Sequence, residues 1–136
     1  MDCIFCKIVA GGIPSFKVYE DATALAFMDI NPLTEGHVLV IPKRHSVTLF
    51  DTENAVLRDV IVAAKKVALA MKQALGLDSL NLLQANGLWA AQSVLHLHFH
   101  LIPRRENDHA GMDWELVPGD RDSIRRVSER LAAALK

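Results

Sequence analysis

Hydrophobic and polar positions alternate along residues 94–102, VLHLHFHLI. Alternation with a period of two is typical of a β-strand, whose successive side chains point to opposite faces of a sheet. One face would carry four large apolar side chains and contact a core: Leu95, Leu97, Phe99 and Leu101. The other would carry three histidines: His96, His98 and His100. Because apolar burial would leave the imidazole nitrogens without hydrogen-bond partners, this second face predicts a functional site.

Further strands are predicted on both sides of this segment. Residues 17–20 and 23–28 are short segments separated by a turn, which predicts an antiparallel hairpin. The β-branched run over residues 37–41 predicts a third, well-buried strand. Residues 79–84 predict a fourth strand, which a loop over residues 85–93 joins to the histidine segment. The sequence therefore predicts an antiparallel sheet of about five strands.

Two segments have the spacing of helices. The first has Asp51 or Thr52 as a candidate N-terminal cap and Gly76 as a C-terminal stop. Its apolar positions recur every three or four residues: Val56, Val60, Ala63, Val67, Met71 and Ala74. A second helix is predicted from Asp120 onward, with apolar Ile124, Val127, Leu131 and Ala134. One long helix, a C-terminal helix and an antiparallel sheet make an α+β fold.

The composition excludes several classes of function. A chain of 136 residues fits one domain, and its 15 Lys and Arg against 16 Asp and Glu leave a formal charge of −1. Without a broad basic field, general nucleic-acid binding is not expected. The N-terminus has no basic segment followed by an apolar run, and no apolar stretch approaches the ~18–20 residues of a membrane span. We therefore expect a soluble, cytoplasmic protein.

The only cysteines, Cys3 and Cys6, form a C-x-x-C motif. A disulfide framework is not expected from two cysteines at this spacing, and the same motif serves both redox and metal sites. Thioredoxin-like motifs occur near a βαβ pattern, whereas this pair precedes a predicted antiparallel hairpin. Two thiolates and two imidazoles would complete a tetrahedral structural zinc site. The spacing leaves open which two histidines would take part.

With these residues in view, the sequence resembles the histidine triad (HIT) family of hydrolases and transferases, whose hallmark is His-φ-His-φ-His-φ-φ with φ apolar. Residues 96–102, HLHFHLI, match that hallmark. Further matches follow in consistent order: CIFCKI at 3–8, FMDI at 27–30, GH at 36–37, IPKRH at 41–45, NG at 86–87, QSV at 92–94 and IPR at 102–104. The resemblance is to the Hint-type bacterial branch with an N-terminal cysteine pair.

The resemblance implies a HIT-like fold in a single domain over residues 1–136, with a core at 3–104 and a C-terminal extension with a helix at 105–136. It also implies a homodimer whose sheet continues across the interface. Its activity would be hydrolysis of purine nucleoside phosphoramidates or similar nucleotide conjugates. His98 matches the nucleophile, which forms a covalent nucleotidyl-histidine before a nucleoside monophosphate is released. Four other matches surround the phosphate and the leaving group: His100, Ser93, Gln92 and Asn86.

The resemblance also implies two binding sites. The nucleoside pocket would be lined by Phe5, Ile8, Phe27 and Ile30, with Asp29 accepting hydrogen bonds from the ribose hydroxyls and His37 close by. Such a site needs apolar walls for the base and an acceptor for paired hydroxyls. A structural Zn²⁺ would be held by Cys3, Cys6, His45 and His96. The zinc would then position the catalytic segment without contacting the substrate.

Two other functions are compatible with these matches. One is hydrolysis of dinucleoside polyphosphates, the activity of another branch of the family. The other is a zinc-stabilised nucleotide-binding or adaptor protein with little turnover. This second alternative is motivated by departures in the loop: Ala91 stands where the family usually has glycine, and Leu88 and Trp89 add bulk that would crowd the leaving-group side.

Overall fold

Five antiparallel strands form one sheet in the order β1-β2-β3-β5-β4, as a computed structural model describing residues 2–136 shows. The elements in chain order are α1 (Ile4–Val9), β1 (Lys17–Glu20), β2 (Ala24–Met28), β3 (Val38–Pro42), α2 (Asn54–Leu75), β4 (Leu80–Leu83), β5 (Phe99–Pro103) and α3 (Arg121–Ala134). A short 3₁₀ turn, Leu88–Ala90, precedes β5. The predicted α+β fold, with about five strands, one long helix and a C-terminal helix, is confirmed.

Helices cover both faces of the sheet. One face packs against α2, and its buried residues include Ala24, Ala26, Val38, Val40, Val60, Val67, Leu97 and Leu101. The other face packs against α1 in a smaller cluster of Cys3, Phe5, Leu25, Phe27, Leu39 and Ile41. Because alternate residues of β2 and β3 enter the two clusters, both strands are buried on both sides. This double burial explains why their sequences are apolar throughout.

The N-terminal boundary of α2 differs from the prediction. The cap residue is Glu53, and neither Asp51 nor Thr52 caps the helix. The Asp51 carboxylate instead accepts hydrogen bonds from the backbone amides of Val47 and Thr48, at 3.1 and 2.6 Å. Short polar side chains often bond to loop amides in this way, and here they close the loop after β3. Gly76 ends the helix in the left-handed conformation, as predicted, with φ of 63°.

The histidine segment is only partly a strand, and the predicted strand over its whole length is wrong. Pairing of β5 with β3 begins at Phe99, opposite Val40. The residues before Phe99 run beside the loop after β3, where the Leu97 amide donates to the Ser46 carbonyl at 2.8 Å. Leu95 is 64% exposed and does not belong to the core. The ladder stops at the Val40–Phe99 pair although β3 continues to Pro42, whose carbonyl oxygen lies 2.8 Å from Nε2 of the His96 ring.

The C-terminal helix begins as predicted but does not pack on the domain. The Asp120 side chain caps it by accepting from the Ser123 amide at 3.2 Å. No residue of α3 is buried within the described chain, and Ile124 and Leu131 of its apolar stripe are 58% and 60% exposed. Within residues 2–136, no helix is both long and apolar enough to cross a membrane.

Ala91 adopts a backbone conformation that favours glycine, with φ of 63° and ψ of 36°. We expect Ala91→Gly to raise the free energy of unfolding by about 1 kcal/mol, because an L side chain is strained in this region. Denaturant titration would show a higher midpoint with an unchanged slope. Ala90→Gly, in the preceding 3₁₀ turn, is the matched control and should destabilise the protein. Equal destabilisation by both variants would contradict strain at Ala91.

Candidate active site and metal centre

Four potential metal ligands come together at the start of the N-terminal helix α1: Cys3, Cys6, His45 and His96. Their ligand atoms lie within 4.8 Å of one another. The Cys3 sulfur caps α1 by accepting from the Cys6 amide at 3.4 Å, so the start of the helix brings the two thiols together. His45 lies in the loop after β3, and His96 is fully buried in the segment before β5.

The separations fit tetrahedral coordination of zinc. Bonds of about 2.3 Å to sulfur and about 2.0–2.1 Å to nitrogen imply S···N separations of about 3.6 Å and N···N separations of about 3.3 Å. The Cys3–His96, Cys6–His45 and Cys6–His96 contacts measure 3.4, 3.3 and 3.6 Å. The two Nδ1 atoms of His45 and His96 are 3.2 Å apart. A Cys₂His₂ set with this geometry is the ligand set of closed structural zinc sites.

A further hydrogen bond prepares His96 as a ligand. Its Nε2 lies 2.8 Å from the carbonyl oxygen of Pro42, which can only accept. Nε2 therefore carries the proton, and the lone pair of Nδ1 points toward the two thiols and His45. Ligand histidines in metal sites are held in this way by the other ring nitrogen. The donor set, the separations and the tautomer of His96 all fit a metal ion.

His98 is held in one tautomer by its own chain segment. Its Nδ1 donates to the carbonyl of His96 at 2.7 Å, so the second ring nitrogen, Nε2, carries a lone pair. The ring is 3% exposed and meets the edge of Phe5 at a centroid distance of 5.2 Å. Burial is the main cause that lowers the pKa of His98 below its ordinary value. The ring is therefore neutral and nucleophilic near pH 7.

His100 and His37 form a hydrogen-bonded pair beside His98. The His37 Nε2 and His100 Nδ1 atoms are 2.9 Å apart, and the His98 and His100 ring centroids are 4.9 Å apart. Burial, followed by the neighbouring His98 and His37, lowers the pKa of His100 to about 4. Burial also lowers the pKa of His37, against an opposing effect of Asp29. Both rings are neutral at pH 7.

A cavity of about 230 Å³ opens above these histidines. Eight of the predicted site residues line it: Phe5, Ile8, Phe27, Asp29, Ile30, Ser93, His98 and His100. Phe5 and Phe27 meet edge to face, with centroids 5.4 Å apart. Ile30 is 78% exposed and so belongs to the open side of the cavity. The arrangement places an apolar slot and one carboxylate beside a buried imidazole.

Two predicted phosphate-site residues lie outside this cavity lining. The Asn86 amide oxygen accepts from the Leu49 amide at 2.7 Å, and the Asn86 side chain also pairs with Gln84. Gln92 is buried and bonds to the backbone of Gly87, Val47 and Val94. Both side chains therefore hold the loop that leads to Ser93, and their contact with a phosphate stays a prediction.

The proposed crowding by bulky loop residues is not observed. Leu88 and Trp89 are 80% and 98% exposed, and neither lines the cavity beside His98. The strained conformation of Ala91 turns the chain from the 3₁₀ turn back toward Ser93 without filling the site. Bulk at Leu88 and Trp89 therefore does not narrow this cavity, and a binding protein with little turnover stays an alternative prediction.

The pattern of the HIT domain matches residues 10–107 of the sequence, which is well over half of its length. The chain belongs to the HIT domain family. Among the relatives of this HIT protein is adenosine 5'-monophosphoramidase of Saccharomyces cerevisiae, which is 44% identical over 98% of this chain and 83% of the yeast protein. The yeast enzyme is named for a hydrolytic reaction.

Solved structures share the fold of this HIT protein. A HIT-family protein from Bacillus subtilis superposes with a TM-score of 0.89 at 39% identity, over 98% of this chain and 96% of the other. A zinc-bound histidine triad family protein from Mycobacterium smegmatis superposes with a TM-score of 0.77 at 35% identity, over 98% of each chain.

Several cavity residues of this HIT protein were not predicted. Ile4, Met28, Leu39 and Val94 also line the cavity. Ile4 could have been found, because it lies four residues before Ile8 and shares its face of α1. Met28 and Leu39 lie in apolar strands, β2 and β3, where the inward direction depends on the register of the sheet, and Val94 lies in the irregular segment before β5. No local signal in the sequence distinguishes such positions from ordinary core residues.

Proposed function

We propose that this HIT-family hydrolase cleaves purine nucleoside phosphoramidates and similar nucleotide conjugates, and that it releases a nucleoside monophosphate. The observation that carries the proposal is the orientation of His98. Its Nδ1 proton is bound by the His96 carbonyl at 2.7 Å, which leaves the Nε2 lone pair as the nucleophilic atom of a ring that lines the cavity. The relative named as an adenosine 5'-monophosphoramidase, 44% identical, supports this substrate class.

The proposed reaction has two displacements. In the first, His98 Nε2 forms a bond to the α-phosphorus, the bond from phosphorus to the leaving nitrogen breaks, and the departing amine takes up one proton. In the second, water cleaves the phosphorus–histidine bond and one proton returns to solvent. Hydrogen-bond donors near the phosphorus would stabilise charge on its oxygens. His100 and Ser93, which both line the cavity, are the residues proposed for this role.

The nucleoside would occupy the apolar part of the same cavity. Phe5, Ile8, Phe27 and Ile30 are proposed to contact the base, because they form its apolar wall. One Asp29 oxygen accepts from the Asn31 amide at 2.8 Å, which fixes the carboxylate at the cavity and leaves its other oxygen for the ribose hydroxyls. This division gives flat apolar contacts to the base and a charged acceptor to the sugar.

We propose that Cys3, Cys6, His45 and His96 hold a structural Zn²⁺. The S···N and N···N separations of 3.2–3.6 Å and the tautomer of His96 support this proposal. When bound, the ion would supply a fixed tetrahedral joint between α1 and the segment before β5. The carbonyl of the same His96 holds His98, so the joint would also fix the nucleophile.

A homodimer is also proposed for this protein. Strand β4 is an edge strand of the sheet, and it exposes two apolar residues, Leu82 and Leu83, at 49% and 41%. An exposed apolar edge favours association with another chain.

We further propose a single domain with its core at 3–104 and an extension at 105–136. A cytoplasmic location and the absence of broad nucleic-acid binding stay predictions.

The test of this function is AMP release from adenosine phosphoramidate, measured beside diadenosine tetraphosphate at equal concentrations. We expect much faster release from the phosphoramidate, and rapid mixing followed by acid-free mass spectrometry should detect protein carrying one adenylyl group. Cleavage of the dinucleotide alone would assign the chain to dinucleoside polyphosphate hydrolysis. Nucleotide binding without product or adduct would instead support a binding protein.

A further inference from the structure

The protonation pattern of the His37–His100 pair can be read from a third group, the backbone amide of Leu33. This amide lies 3.0 Å from His37 Nδ1 and is a donor only. His37 Nδ1 must therefore accept, and a neutral His37 ring carries its proton on Nε2. The Nε2 atom lies 2.9 Å from His100 Nδ1 and donates to it. The remaining proton of a neutral His100 is then on Nε2.

The burial of His37 fixes the directions of these two hydrogen bonds. The ring is 4% exposed and lies in the turn just before β3, with its own carbonyl accepting from the Asp29 amide at 3.0 Å. The closest Asp29 carboxylate oxygen is 3.5 Å from His37 Nε2, against 2.9 Å for His100 Nδ1. The shorter contact makes His100 the main acceptor of the His37 proton.

The same amide argues against a second metal site. Asp29, His37 and His100 could together offer three ligand atoms within 4.8 Å. A histidine that binds a metal through Nε2 donates its Nδ1 proton to an acceptor. Here Nδ1 faces the Leu33 N–H, which cannot accept. The geometry therefore describes an ordered chain of hydrogen bonds.

We infer that His37 is a positioning residue that fixes the tautomer of His100, so that His100 presents an Nε2–H donor to the phosphoryl group in the cavity. The inference rests on the proposed function, because the phosphoryl oxygens are what this donor would meet. In the opposite tautomer, His100 would direct a lone pair at negatively charged oxygens. His37 would thus affect the chemical step through His100 without contacting the phosphorus.

Two replacements of His37 separate its two hydrogen bonds. The amide nitrogen of glutamine can take the place of Nε2, so His37→Gln keeps a donor for His100. The amide oxygen of asparagine can take the place of Nδ1, so His37→Asn keeps an acceptor for Leu33 but loses the donor. We expect His37→Asn to lower kcat by about 10- to 100-fold with KM changed less than about three-fold, and His37→Gln to recover most of kcat.

The tautomer itself can be measured without turnover, by nitrogen-15 NMR of histidine-labelled protein with His100 assigned from His100→Gln. We expect the Nε2–H form in the unchanged protein and a mixture in His37→Asn. An Nδ1–H form in the unchanged protein, or equal loss of kcat in both variants, would overturn the inference. If no phosphoramidate is cleaved but the Nε2–H form depends on His37, the proposed function fails while the positioning of His100 stands.

Discussion

Replacing His98 with alanine is expected to lower kcat/KM for adenosine phosphoramidate by at least about 10⁴-fold, because the reaction loses the atom that bonds to phosphorus. The apolar walls that would hold the base remain, so the affinity for AMP should change far less. Steady-state release of AMP and calorimetric titration with AMP give the two quantities. No adenylylated protein should be detected after rapid mixing.

The alanine variant also removes a buried ring that contacts Phe5, so its fold needs an independent check. His98→Asn is the matched variant, because its amide nitrogen can still donate to the His96 carbonyl although it lacks a nucleophilic ring nitrogen. Both variants should be inactive, and the asparagine variant should unfold at a higher temperature than the alanine variant. His109→Ala, at an exposed histidine, controls for the substitution itself. Full activity of His98→Asn would exclude His98 as the nucleophile.

Removal of zinc is expected to have the largest effect on stability. The protein purified under reducing conditions should contain about one zinc per chain, held by two thiolates and two imidazoles. Chelation should lower the midpoint of thermal unfolding by about 10 °C or more, because metal binding is coupled to folding. It should also reduce kcat, since the carbonyl that holds His98 belongs to His96. Calorimetry and metal analysis before and after chelation measure the effect on stability, and steady-state release of AMP measures the effect on kcat.

The control for chelation is a protein that lacks one of the four ligands. Cys6→Ser should have a lower midpoint of thermal unfolding from the start, and the chelator should not lower it further. Zinc added back to the chelated, unchanged protein should restore its midpoint. A metal content near zero in the reduced protein would remove the zinc proposal. If chelation destabilised Cys6→Ser as strongly as the unchanged protein, the effect would arise at another site.

The sequence predicted best the elements whose boundaries are set by neighbouring residues in the chain. The run that becomes β3 is apolar throughout and ends at Pro42, and the helix α2 ends at a glycine with positive φ. The start of β5 could not be predicted, because it depends on where this segment leaves the ladder with β3 and bonds to the loop after that strand. The six-residue helix α1 was also missed. It is shorter than an isolated helix needs to be stable, and Phe5 holds it by packing into the sheet.

The candidate site was predictable to a similar extent. The motif spacing indicated which residue types would meet, and the family resemblance proposed which histidines join the cysteines. The structure brings these four residues together, and it places His98 and His100 at one cavity. The role of the Leu33 amide could not be predicted, because every residue except proline has a backbone N–H and the residue type does not show which of them donates to a side chain. It becomes visible only when the turn before β3 places that amide against His37.

The position of α1 has a consequence for the exchange of metal and nucleotide. Ile4, Phe5 and Ile8 of this helix form part of the cavity wall, while Cys3 and Cys6 at its start belong to the metal group. A bound nucleoside and a bound ion would therefore both hold the helix in the same place. By thermodynamic reciprocity, each would then raise the affinity for the other by the same factor. A protein with bound nucleotide would therefore bind its metal ion more tightly than a protein with an empty cavity.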